Sequence, residues 1–319
     1  MFKFLRSLLE QYRTLVKISQ KPSEVAPPIM SKEPIEIDRL ASAVSYNALK
    51  VPILAPDGFP KWAKIEALPG TEEFAYDVAR AQKHLGLKAD GFCGPSTINA
   101  MAEEDRKDHR SIIIGPKAYP VSSQVITYLD DPEIVDLSGR NRTLKIRQVC
   151  LHYDVTFNSM STVSILRSRG LSYHFLIDGD LDATIYQTHN PTITACFHAG
   201  TINNYSVGIC INNPADPSYQ SRDEKNRGRK REKKSDTVHE ENIERLEFFE
   251  EQLIASQELV SILCHSLDIP KVVPRDKDNK VLKGVIPNFE KFSGILGHYH
   301  VSSTKTDPSP LDWEAFLKD

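Results

Sequence analysis

The stretch Gly297–Asp312 reads GHYHVSSTKTDPSPLD and brings two histidines, a lysine and an aspartate close together. Imidazole nitrogens and a carboxylate oxygen are ligands for a divalent metal of borderline softness. An ammonium nearby could stabilise a developing oxyanion. A hydrolytic metal site takes three protein ligands and leaves one position for water. Read as one strand, His298 and His300 share a face, so period alone does not choose between them. Asp307 could be a second ligand, and the third must come from elsewhere in the chain. The candidates are the histidines where strand-like sequence meets a loop, His152, His174 and His198. His152 ends the apolar run QVCLHY, with Asp154 beside it on the same strand face. The end of a strand faces a cleft in α/β folds. His152, one histidine of GHYH and Asp307 would complete a set of three.

The surrounding sequence predicts the elements that must position these residues. LKIRQVCLHY reads as a short apolar strand, and residues 160–169 carry helical spacing that stops at Gly170. LSYHFLIDGD and DATIYQT read as strands joined by a turn, and SVGICIN as a buried strand. Residues 240–266 predict a long amphipathic helix, SGILGHYH a last strand and DWEAFLK a terminal helix. Strands alternating with helices imply an α/β domain.

Upstream, Phe74, Val78, Ala81 and Leu85 keep a helical spacing, and Gly86 ends it. Asp90-Gly91 and Gly94-Pro95 make two turns before a second helix opens at Ser96 or Thr97. Residues 21–69 are rich in proline and small residues, which predicts a linker or loosely packed arm. In residues 1–20 an apolar face of Phe2, Leu5, Leu8, Leu9, Tyr12, Leu15 and Val16 is interrupted in sequence by Arg6, Glu10, Arg13 and Lys17. That pattern predicts an amphipathic docking helix and argues against a secretory or membrane-spanning segment. The net charge of -3 over 319 residues argues against a nucleic-acid or membrane-surface protein as a whole. Five cysteines without a CxxC predict buried free thiols in a reducing compartment. The lysine- and arginine-rich run at 218–236 reads as a solvated, mobile loop, or as a contact for an anionic polymer.

Two groups of motifs carry a resemblance. AQKHLGLKADGFCGPSTINAM resembles the small three-helix peptidoglycan-binding domain of cell-wall hydrolases, through Leu85, Gly86, Asp90, Gly91, Phe92, Gly94, Pro95 and Thr97. VCLHYDVT, RGLSYHFLIDGD, CFHAGTINNYSVGICI and GHYHVSSTKTDPSPLDW resemble, in this order, the zinc-dependent N-acetylmuramoyl-L-alanine amidases. That superfamily includes bacteriophage endolysins and animal peptidoglycan recognition proteins. The resemblance implies an α/β domain at 144–319, a mixed central sheet flanked by helices, carrying the basic insertion at 218–236. It implies a small all-α unit at 70–108 and a linker and domain entry at 109–143. Carried over residue by residue, it implies zinc held by His152, His298 and Asp307. His300 then falls outside the ligand set. Tyr173 and Lys305 become catalytic, and His198 lines the substrate groove.

The implied activity is hydrolysis of the amide between N-acetylmuramic acid and L-alanine of bacterial peptidoglycan by a zinc-activated water. One departure concerns Cys210, which stands where the anhydro-muropeptide branch has a catalytic glutamate. The aspartate ligand leans the other way, toward that branch. With no signal peptide visible, the expectation is a phage endolysin made in the cytoplasm and released to the wall by a holin-type step. The alternatives are a non-catalytic recognition module and a virion-associated wall-degrading component. A phage or membrane partner for residues 1–20 belongs to the same expectation.

Overall fold

The computed structural model describes residues 35–106, 108–135 and 137–318. The helix expected over residues 1–20 lies outside the described residues, as does the first part of the expected arm. Three helices come first, α1 (Leu40–Leu54), α2 (Glu72–His84) and α3 (Pro95–Asp105). Thr71 caps α2 by accepting a hydrogen bond from the Phe74 amide at 3.1 Å. Glu72 and Glu73 open that helix and Lys83 and His84 close it, which complements its dipole.

Helix α1 corrects the expected linker. It buries Ala43, Asn47, Val51 and Leu54. A small residue and an amide fill half of that stripe, so hydrophobic periodicity did not reveal the helix. Asn47 donates to the Gly91 carbonyl at 2.8 Å and accepts from the Cys93 amide at 2.9 Å. Gln82 of α2 grips the same turn, accepting from the Gly91 amide at 2.9 Å and donating to the Phe92 carbonyl at 3.0 Å. The helical unit therefore begins upstream of the expected boundary at 70. It also packs against the strand-rich part of the chain. Thr192 donates to the Leu54 carbonyl at 2.8 Å, and the Tyr119 hydroxyl to Asp57 at 2.7 Å.

The α/β part opens with the hairpin β1 (Ser111–Ile114) and β2 (Lys117–Pro120), then β3 (Val125–Thr127) and β4 (Gly139–Asn141). Next come β5 (Gln148–Tyr153), α4 (Ser159–Arg169), β6 (Phe175–Ile177), β7 (Ile185–Gln187), β8 (Thr194–Cys196) and β9 (Ser206–Ile211). The last part holds α5 (Gln220–Arg227), β10 (Lys233–Val238), β11 (Glu241–Leu246), α6 (Glu250–Ser266), β12 (Gly294–Gly297) and α7 (Trp313–Phe316). A six-stranded sheet runs in the order β12-β5-β9-β6-β7-β3. Its neighbours are parallel except β6 and β7, so the sheet is mixed. Residues 109–143, expected as a linker and domain entry, supply its edge strand β3.

Helix α6 covers one face, where Leu259, Val260 and Leu263 join Val149, Leu151, Val207 and Ile209. On the other face Val163 and Leu166 of α4 pack with Leu176 and Cys210. Side chains alternate along a strand, so His152 lies on this second face with Cys150. The helix expected from residue 240 starts later, because β10 and β11 form a hairpin there. His239 and Glu240 make its two-residue turn with φ of 52° and 67°, the backbone hand that matches strand twist.

The basic run at 218–236 is folded, which corrects the mobile loop. Arg231 is buried, and it donates to Asp223 at 3.0 Å, to Gln252 at 3.0 Å and to the Glu247 carbonyl at 3.0 Å. Arg227 reaches Asp178 at 3.0 Å. Counting charges misled here because two of the arginines turn inward onto buried carboxylates, while Lys225, Lys230 and Lys233 stay exposed. Arg231→Ala leaves the buried Asp223 carboxylate with Arg227 alone, at 3.3 Å, and is expected to lower stability by about 3 kcal/mol, read by denaturant unfolding. A loss below about 1 kcal/mol would show that the pair is not buried in solution. No helix among the described residues is long and apolar enough to cross a membrane.

Candidate metal centre

Strands β5 and β12 are parallel, with Gly297 opposite Leu151. The next residue of each, His152 and His298, therefore meet at the carboxyl ends of adjacent strands, where α/β sheets leave a crevice. Gly297 is required there, because a Cβ would stand 2.6 Å from Pro308 Cδ. After it the chain makes a single 3-10 turn over His298–His300. Each residue advances about 120° in such a turn, so the two histidines do not share a face. His298 faces His152. His300 turns into the protein, its Nδ1 accepting from the Gly297 amide at 2.8 Å and its Nε2 donating to the Leu282 carbonyl at 2.7 Å. The backbone thus decides between two histidines that strand periodicity left equivalent.

The loop after this turn returns Asp307 to the same point, with the Tyr299 amide donating to the Asp307 carbonyl at 3.2 Å. Asp307 Oδ2 lies 3.0 Å from His152 Nδ1 and 3.0 Å from His298 Nδ1, and the two Nδ1 atoms are 3.0 Å apart. Protons alone do not satisfy this triangle. If both nitrogens donate to Asp307, two N–H groups crowd each other across its third side. A cation at the centre accepts all three lone pairs. Ligand atoms at tetrahedral zinc lie about 3.3 Å apart, given bonds of about 2.0–2.1 Å. Two imidazoles and a carboxylate in this arrangement fit zinc.

Burial pushes the His152 imidazole down to about 4, and His298 beside it adds to the effect, so its lone pair is available at neutral pH. Burial alone would raise the Asp307 carboxyl, but the close contacts with His152 and His298 outweigh it and hold it well below the usual range. The triangle thus holds one negative charge. Cys150, His152 and His198 form a second group of donors. Burial raises the Cys150 thiol well above its ordinary value, with Asp307 adding to it, so that group carries no anion and suits a dication less.

The Tyr173 ring lies 4.8 Å from that of His152, centroid to centroid. Burial, then nearby Cys210, raises its phenol well above the ordinary value, so it stays protonated and able to donate. Lys305 is exposed on the ligand loop. His198 is turned toward His152, with Nδ1 3.1 Å from His152 Nε2, and only 9% of it is exposed. His174 belongs to the scaffold, with Nδ1 accepting from the Gly208 amide at 3.0 Å and Nε2 contacting the Thr194 carbonyl at 3.0 Å. Asp154 ties the end of β5 to Thr162 at 2.6 Å and Asn212 at 3.0 Å.

Sequence reasoning missed how the ligand loop is braced. His239, in the β10–β11 turn, meets the Lys305 carbonyl at 2.9 Å. Ser309 donates to Asp236 of β10 at 2.8 Å, and the Thr306 and Tyr153 hydroxyls share a 2.6 Å hydrogen bond. These contacts span long sequence separations and left no local signal.

Cys210 is opposite His152 in the β5–β9 register. Burial, with Asp154 and Asp307 adding, raises its thiol well above the ordinary value, and it is fully buried. An uncharged thiol is a poor nucleophile. Cys210→Ser is therefore expected to keep metal and most activity, at a cost of about 1–3 kcal/mol for a buried hydroxyl. Activity and melting temperature measured together check this, and inactivity in a folded, metal-loaded variant would contradict it.

Fold and site together define an α/β domain with a cluster of candidate metal ligands at its strand ends. The family model described as N-acetylmuramoyl-L-alanine amidase (Amidase_2) matches residues 142–310, and the chain belongs to that family. No curated protein matches the sequence significantly. Among solved structures, the chain is similar to AmiD, the N-acetylmuramyl-L-alanine amidase from E. coli in complex with the substrate anhydro-N-acetylmuramic acid-L-Ala-D-gamma-Glu-L-Lys. The identity is 16%, with 54% of this chain and 56% of that one covered at a TM-score of 0.35. A mutant endolysin from Bacillus subtilis shows 16% identity over 61% of this chain and 97% of its own, at a TM-score of 0.36. Drosophila PGRP-LB shows 16% identity over 56% and 84%, at a TM-score of 0.31. The match thus spans little more than half the length of AmiD.

Proposed function

We propose that this chain is a zinc-dependent hydrolase that cleaves the amide joining N-acetylmuramic acid to L-alanine in peptidoglycan. The observation that carries the reading is the 3.0 Å triangle of His152 Nδ1, His298 Nδ1 and Asp307 Oδ2 inside the stretch matched by the amidase family. A zinc ion bound there supplies a Lewis acid that polarises a carbonyl and makes water acidic enough to react at neutral pH.

The chain's own residues hold the charges and move the proton. His152 and His298 present lone pairs, and Asp307 contributes a single negative charge. The ligand set therefore leaves a dication with net positive charge, which favours an oxyanion. Lys305, exposed on the same loop, adds a second positive charge. Tyr173, neutral and beside His152, gives its proton to the leaving amine. The water oxygen bonds to the carbonyl carbon, the carbon–nitrogen bond breaks, the L-alanine amine takes the Tyr173 proton, and the proton given up by the water restores the phenol.

The helical unit at α1–α3 is proposed to hold the wall polymer, raising the enzyme's effective concentration there. An endolysin, or a wall-degrading component of a virion, is the setting this reading favours, and mass spectrometry of purified virions separates the two. Clearing of a purified cell-wall suspension tests the activity itself. The wild-type protein with zinc is expected to clear it and Asp307→Ala is not. Binding to the wall without clearing would instead make the chain a recognition module.

A further inference from the structure

The zinc reading leaves open why His152 offers Nδ1 to the triangle, since an imidazole can carry its proton on either nitrogen. The chain of contacts behind His152 decides it. The Ile202 carbonyl can only accept, and Ser206 Oγ lies 2.7 Å from it, so the single hydroxyl proton of Ser206 is committed there. Ser206 Oγ is also 3.1 Å from His198 Nε2 and must accept at that contact, which puts the His198 proton on Nε2. A neutral imidazole carries one proton, so with Nε2 donating to Ser206 its Nδ1 is the acceptor. That Nδ1 lies 3.1 Å from His152 Nε2, with the rings at 87° to each other. His152 must therefore carry its proton on Nε2, and its Nδ1 faces His298 and Asp307 as a bare lone pair.

The site is built to hold this chain of contacts. The His198 ring lies against β9 at Gly208, where a Cβ would stand 2.6 Å from the imidazole Cγ. Asn203 fixes the backbone on either side of the ring, accepting from the His198 amide at 3.1 Å and the Ala199 amide at 2.7 Å.

We propose that the relay Ile202–Ser206–His198 is a positioning device that fixes the tautomer of His152 and so selects its metal-binding nitrogen. His198 is then a positioning residue acting through His152. The inference rests on the zinc reading of the triangle. Partners of this kind typically change metal affinity by about 10–100-fold.

The test is zinc affinity, measured by competition with a chromogenic chelator, with no substrate present. His198→Phe removes the acceptor and is expected to weaken zinc by roughly 10–100-fold. His198→Asn restores an acceptor near the Nδ1 position and is expected to stay within a few-fold of the wild type. Gly208→Ala displaces the ring without altering a polar group and is expected to fall between the two. Long-range ¹H–¹⁵N spectra of the metal-free protein read the tautomer directly, and His152 is expected as the Nε2–H form. Wild-type affinity in folded His198→Phe, or an Nδ1–H signal from His152, would overturn the proposal while leaving the zinc reading intact. Equal weakening in His198→Phe and His198→Asn would reduce His198 to a packing role. Zinc affinity left unchanged by Asp307→Ala would remove the zinc reading and this inference together.

Discussion

Asp307→Ala is expected to abolish stoichiometric zinc binding and bring hydrolysis to background. The variant keeps two imidazoles but loses the single negative charge and one corner of the triangle, which is 3.0 Å from each of the others. His152→Ala and His298→Ala each remove another corner and are expected to do the same, because metal affinity requires the full set. His300→Ala is the contrasting case. Its ring accepts from Gly297 and donates to Leu282, so the variant is expected to lose stability and keep metal in its folded fraction. Elemental analysis of the dialysed proteins, with circular dichroism to establish folding, reads both quantities. Metal lost with folded His300→Ala and kept with His298→Ala would reverse the ligand assignment.

Tyr173→Phe and Lys305→Ala are expected to keep zinc and lower turnover by roughly two powers of ten each. For Lys305 the reason is the oxyanion, where losing one positive partner costs about 3 kcal/mol of barrier. For Tyr173 it is the proton that the leaving amine requires. Its ring lies 4.8 Å from that of His152, and burial keeps the phenol protonated. Single-turnover rates on a soluble muropeptide, at equal zinc content, are the measurement. Near-wild-type turnover by Tyr173→Phe, set against an inactive Cys210→Ser, would move the chemistry from the phenol to the thiol.

Much of this site was legible because its parts are short and chemically distinctive. His152 and His298 each end an apolar strand, and a parallel register brings strand ends together. Asp307 comes within the same turn-rich loop. The choice between His298 and His300 was not legible from period, because the strand stops at Gly297 and a 3-10 turn replaces it. Helix α1 was hidden because Ala43 and Asn47 fill part of its buried stripe. The basic run misled because Arg227 and Arg231 turn inward onto Asp178 and Asp223. Ion pairs across such separations leave no periodic trace in a sequence. The hairpin brace on the ligand loop and the relay behind His152 are likewise products of tertiary structure alone.

Mass spectrometry of peptidoglycan sacculi digested by the zinc-loaded protein tests the central claim most directly. The account predicts free stem peptides beginning with L-alanine and glycan strands whose muramic acid lactyl groups are bare, with neither product from Asp307→Ala. New reducing sugar ends, or cuts within the peptide while L-alanine stays attached to muramic acid, would contradict it.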